Sequence, residues 1–173
     1  MNTALFVTIW LALVAFAAAE AGRRPAFSGR APARWLDAVS LAGLALLLVH
    51  IALAYGVRHG WSHDAAVRAT AQQTAAVYGI DWGGGIYINY LFALVWAIDA
   101  WQWSVSPAAA AARRPAILWA LRAFYGVIIA NGAVIFVPGA RRWIGIAITL
   151  GLIWIWRPLS RGARQPPVAP PQP

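Results

Sequence analysis

Cysteine and lysine are both absent from this 173-residue chain, and methionine occurs once. Without cysteine there are no disulfides, no thiolate zinc sites, no iron–sulfur clusters and no redox thiols. Glutamate is confined to Glu20, so the His-Glu-x-x-His pattern of metalloproteases is missing. No Gly-x-Ser-x-Gly occurs either, which removes the serine elbow of hydrolases. Charged residues make up only 11% of the chain, where a soluble domain carries about 25%. These absences exclude most familiar catalytic designs and an ordinary soluble fold.

What is present is apolar. Hydrophobic residues account for 61% of the chain, and five runs stand out, at 2–19, 36–55, 84–104, 116–137 and 143–156. A membrane-crossing helix needs roughly 20 mainly apolar residues. The expected fold is therefore an all-α membrane bundle of five transmembrane helices, four full-length and a short C-terminal one. The short run lies between Arg142 and Arg157, whose side chains can snorkel and lengthen its effective reach; an interfacial or re-entrant segment is the alternative. The first run has small residues after it but no basic residue before it, and Arg23 and Arg24 follow at once. That charge order is wrong for a cleaved signal peptide, so an uncleaved helix is expected. Residues 1–159 read as one transmembrane domain, and 160–173, rich in proline and arginine, as a disordered cytoplasmic tail.

The fourteen positive charges, all arginines, face five acids and leave a net charge of +9. In a soluble protein that balance would suggest nucleic acid. Here the arginines sit between apolar runs, so topology and anionic headgroups account for them, and the bilayer, not nucleic acid, is the expected partner. Arg23, Arg24, Arg30, Arg34, Arg113, Arg114, Arg157, Arg161 and Arg164 share one side if five spans are crossed; Arg58, Arg68, Arg141 and Arg142 take the other. The positive-inside rule makes the first side cytoplasmic, giving N-out/C-in orientation in a bacterial inner membrane. Tryptophan agrees. Trp35, Trp101, Trp103, Trp119, Trp154 and Trp156 fall at the inner interface and Trp61, Trp82 and Trp143 at the outer one, where the ring is favoured.

Polar residues inside such a bundle are costly and therefore informative. Counting along each run places His50, Asn89, Asn131 and Thr149 at a common depth, roughly 7–9 Å below the outer surface. With Tyr87 and Tyr90 they are expected to form a polar layer near the outer mouth. It would serve either as a hydrogen-bond tie between helices or as a small ligand or ion site. Near the inner end, Asp99 and Arg122 lie at matching depth on successive spans and are expected to form an intramembrane salt bridge.

All three histidines fall within 50–64, HIALAYGVRHGWSHD. The following stretch, 62–78, is expected to form a surface or amphipathic helix in the outer loop between the second and third spans. Ser62 can cap it, and Asp64 suits its first turn. His59 and His63 are spaced i, i+4, a separation metal sites use on a helix. With Asp64, and with His50 if the loop folds back, they could present N and O ligands to zinc or copper, or, less readily, to haem. Three functions follow: a non-catalytic accessory or assembly component of a membrane complex, bound to a membrane-protein partner or to copies of itself; a metal- or haem-handling protein; and a small transporter using the polar layer. Small-residue faces such as Ala93-x-x-x-Ala97 favour the first.

Overall fold

The computed structural model describes residues 3–158, and these form helices and turns with no strand among them. Seven α-helices follow one another: α1 Thr3–Arg23, α2 Trp35–His59, α3 His63–Tyr78, α4 Gly85–Val105, α5 Pro107–Ala111, α6 Pro115–Ala130 and α7 Arg142–Ile155. The five apolar runs become α1, α2, α4, α6 and α7, and the expected loop helix becomes α3. The tail expected at 160–173 lies outside the described residues. Three helical stretches, Thr3–Ser28, Trp35–His59 and Pro115–Ile135, are long and apolar enough to cross a membrane.

Local chemistry sets the helix ends. The Ser62 hydroxyl accepts from the Ala65 amide at 3.2 Å and starts α3. Gly60 takes a left-handed conformation after α2, and Trp61 follows it into the same region at φ 61°. These two residues turn the chain sharply, and the Trp61 ring comes to lie over Gly56. Pro107 and Pro115 open α5 and α6, where their missing N–H costs no hydrogen bond. Past Ala130 the α6 helix widens into a π-helical turn, Asn131–Ile135, before Pro138 ends it.

Touching residues give the helix directions. Leu5 meets His50, Ala15 meets Gly43 and Gly22 meets Leu36, so α1 and α2 are antiparallel. Phe16 lies against Trp96, and Arg23 against Trp103, so α4 runs parallel to α1. Arg141 sits over Phe6 and the Trp156 indole reaches Glu20, so α7 runs parallel to α1 as well. Ala133 against Gly145 and Arg122 against Trp156 make α6 antiparallel to α7. The directions thus alternate along the chain. At one end α3 crosses over, with Thr70 against Gly85 and Tyr78 reaching Asn131 and Phe136. At the other end α5 turns the chain back so that Arg113 returns to α4.

The core is aromatic. The Phe16 ring takes Trp96 and Tyr125 edge-on, with centroids 4.9 and 5.0 Å away, and Phe92 completes the group. Trp96 is fully buried and its indole N–H donates to Ser40 Oγ at 3.3 Å. The outward faces carry exposed apolar side chains such as Leu11, Leu48, Leu94 and Ile153, a surface suited to lipid. Ala93, expected on an outward small-residue face, is buried and serves the bundle's own packing.

One close approach is specific to glycine. A Cβ on Gly145 would run into the carbonyl oxygen of Ala133 in the π-helical turn, whereas Gly151, later on α7, has open space around it. Gly145→Ala should therefore cost about 1–3 kcal/mol through overpacking. Gly151→Ala should be neutral or gain up to about 1 kcal/mol. Unfolding of both variants in mild detergent checks this, and equal effects would contradict the contact.

Candidate functional site

The polar residues of the bundle collect in two places. The first lies at the α5 end, where α1, α4 and α6 and the residues that follow α5 and α7 contribute charge or hydrogen bonds. Asp99 of α4 is 4% exposed. Its Oδ1 accepts from Arg113 Nη1 at 2.5 Å and its Oδ2 from Arg23 Nη1 at 3.5 Å. Arg23, in the last turn of α1, is 2% exposed and also lies 3.5 Å from Glu20 one turn earlier. Trp156 Nε1 donates to the other Glu20 oxygen at 2.8 Å, which ties α7 to α1. Arg113 further donates from Nε to Gln102 Oε1 at 3.1 Å. Arg122 Nη1 donates to the Trp156 carbonyl at 3.3 Å, and its guanidinium lies over the Phe27 and Trp119 rings.

The expected Asp99–Arg122 bridge is therefore corrected. Asp99 is held by Arg23 and Arg113 instead, while Arg122 turns to the end of α7 and to two aromatic faces. The physical reason is reach. The α5 turn folds Arg113 directly back over Asp99, and the last turn of α1 brings in Arg23 from the parallel neighbour. Both had been assigned to loops and topology. Glu20 pairs with Arg23 inside the bundle and not as a surface ion pair.

The second place lies at the α3 end. The Tyr55 hydroxyl is hydrogen-bonded to the Tyr90 hydroxyl and to His63 Nδ1, the latter at 2.8 Å; His63 Nε2 lies 3.1 Å from the Tyr87 hydroxyl. The His63 ring is nearly parallel to Tyr55, at 17°. One imidazole thus links α2, α3 and α4. Hydroxyls both donate and accept, so the chain Tyr87–His63–Tyr55–Tyr90 can be satisfied with the proton on either ring nitrogen.

This arrangement corrects the metal expectation. Among the described residues no group of three or more His, Asp or Glu side chains is gathered as a metal would need. His59 closes α2 and His63 opens α3, with Gly60 and Trp61 reversing the chain between them, so their i, i+4 spacing is not a helical one. Both nitrogens of His63 meet tyrosines. His50 is remote from the loop: its Nδ1 donates to the Leu5 carbonyl at 3.0 Å and lies 3.3 Å from Thr8 Oγ1, tying α2 to α1. Asp64 takes its expected place in the first turn of α3.

The expected polar layer divides in the same way. Thr149 donates to its own helix, to Gly145 at 2.8 Å. Asn131 donates to Val127 at 2.9 Å and accepts from the Tyr78 hydroxyl. Tyr87 and Tyr90 belong with His63. Asn89 lies between buried Ile86 and buried Phe92, Ala93 and Trp96 along α4, yet is itself exposed. Matching depth along separate helices did not translate into contact between them. Sequence reasoning also passed over Ser40, Tyr55, Tyr125 and Trp156. Glu20, the sole glutamate, with Arg23 at i+3 on an apolar helix, was a signal available for part of the first cluster.

No protein-family model, curated protein or solved structure matches the chain. The two constellations therefore stand on their own geometry. Both are sets of ties between helices.

Removing one partner of a buried ion pair leaves the other uncompensated, at about 3–5 kcal/mol. Asp99→Asn should destabilise the bundle to that extent. In double-mutant cycles Asp99→Asn should couple to Arg113→Gln by about 0.5–3 kcal/mol, and to Arg122→Gln by less than about 0.5. Unfolding in detergent measures both couplings, and the reverse order would restore the Asp99–Arg122 pair.

Proposed function

We propose that this chain is a non-catalytic membrane component with five spans, N-terminus outside and C-terminus inside, in a bacterial cytoplasmic membrane. It acts there as an accessory or assembly subunit docked on another membrane protein or on a second copy of itself. The observation that carries this reading is the outward face of α2. Ala38, Ala42, Ala45 and Ala52 are all exposed along one side of α2, with the exposed Val49 between the last two and Leu41 and Leu48 at its edge. The exposed face of α4 carries the bulkier set Leu91, Leu94, Ile98 and Trp101, which suits lipid. A stripe of small residues lets a second helix approach closely, which is how helices associate in membranes.

Five spans are supported by the alternating helix directions and by length. The 21 residues of α4 rise about 31 Å, enough for a hydrocarbon core of about 30 Å. Its lower apolarity comes from Asn89, Asp99 and Gln102, and Asp99 is enclosed by the other helices. The 14 residues of α7 rise about 21 Å, and Arg142 and Arg157 at its ends can snorkel to the interfaces. Among the described residues Arg23, Arg24, Arg30, Arg34, Arg113, Arg114 and Arg157 lie toward the α5 end of the bundle and Arg58, Arg68, Arg141 and Arg142 toward the other, a bias by which the positive-inside rule would turn the α5 end toward the cytoplasm.

The lack of native cysteine makes single introduced cysteines unique reporters. An impermeant maleimide should label Ala76→Cys on α3 in intact cells, and Ala108→Cys on α5 only after permeabilisation. Labelling of both from the same side would end the five-span reading. In native membranes Ala45→Cys on α2 should give a discrete cross-linked species under a short bifunctional maleimide, while Leu94→Cys on α4 should not. Equal behaviour of the two positions would remove the docking face.

A further inference from the structure

Within the buried cluster at the α5 end, all four oxygens of Glu20 and Asp99 are taken. Glu20 binds Arg23 and Trp156 through its two oxygens, and Asp99 binds Arg113 and Arg23. The polar atoms left over are of the opposite kind. Arg23 Nε and Nη2, Arg122 Nε and the Tyr125 hydroxyl are buried and find no acceptor among the described residues. Three of these four atoms can only donate, and a hydroxyl can donate as well. Arg23 and Tyr125 are each 2% exposed. All three residues line one small cavity, which Glu20, Asp99 and Phe27 also border.

Charge and size narrow what can occupy it. The guanidinium groups of Arg23, Arg113 and Arg122 outnumber the carboxylates of Glu20 and Asp99 by one, so the cluster keeps a positive charge in surroundings where an unpaired charge is costly. The space open to a water-sized particle is about 10 Å³, about the room one such particle needs. A phosphate or carboxylate group is too large for it. Chloride is a single atom, larger than water but smaller than either of those groups; it accepts several hydrogen bonds at once and brings the missing negative charge.

We propose that this cavity is a halide site, binding one chloride ion between Arg23, Arg122 and the Tyr125 hydroxyl. The ion completes the charge balance of the cluster and makes the joining of α1, α4, α6 and α7 depend on chloride.

The full-length protein in mild detergent supplies the test. At constant ionic strength, replacing gluconate by chloride should raise the unfolding temperature in a saturable way, as expected for a ligand that binds only the folded state. Bromide should act like chloride, and sulfate and phosphate should not. Tyr125→Phe keeps shape and charge and removes one donor, so its halide affinity should fall about tenfold, as losing a hydrogen bond to a charged partner implies. Crystals grown in bromide should show an anomalous scatterer within hydrogen-bond distance of Arg23 and Tyr125, a readout that needs no variant. Stabilisation that follows ionic strength alone, unchanged halide affinity in Tyr125→Phe, or a water with no anomalous signal at that position would each overturn the site.

Discussion

A carboxylate in the middle of an apolar bundle has to be matched by cations that are themselves held in place. Asp99 has two, and they arrive from opposite directions: Arg23 from the end of α1 and Arg113 from the turn after α5. Fixing Arg23 brings in Glu20, and Glu20 in turn holds Trp156 at the end of α7. A single buried charge therefore determines how four helical segments meet. The aromatic core of Phe16, Phe92, Trp96 and Tyr125 adjoins this cluster through Tyr125, which lines the same cavity as Glu20, Arg23 and Asp99. At the opposite end the described ties are hydrogen bonds. Hydroxyl, imidazole and carbonyl groups link α2 to α1 through His50, and α2, α3 and α4 through His63. Such neutral contacts are worth about 1–2 kcal/mol at most in a membrane, so the charged end is the firmer of the two.

Much of the architecture was legible from the order of residues, because hydrophobic runs and caps are local signals. The apolar runs matched the long helices to within a few residues, and Ser62 marked the start of α3. Partner choice was not legible in the same way. Depth counting put Asp99 and Arg122 level, but it carries no information about rotation, and a helix face differs from its opposite by two residues. Arg113 looked like a loop charge until the α5 turn folded it back. The histidine spacing failed for another reason. The i, i+4 argument assumes continuous helix, and Gly60 with Trp61 breaks the helix between the two imidazoles.

The polar side chains that are buried in the described bundle hold its helices to one another, as Asp99, Arg23 and Ser40 do. The exposed side of α2 sets Ala38, Ala42, Ala45 and Ala52 beside Val49, whereas that of α4 carries Leu91, Leu94, Ile98 and Trp101. At the α5 end arginine and tryptophan side chains crowd together, as in the stacking of Arg24 on Trp154.

The pairing of Asp99 is open to direct measurement. In membranes containing protein labelled with nitrogen-15 arginine and carbon-13 aspartate, solid-state dipolar recoupling reads which guanidinium groups lie beside the Asp99 carboxyl carbon, with Asp99→Asn assigning the signal. The geometry requires dephasing that weakens in Arg113→Gln, is lost when Arg23→Gln is added, and is unchanged by Arg122→Gln. Dephasing that survives the double substitution and disappears with Arg122→Gln would contradict the central constraint of this fold.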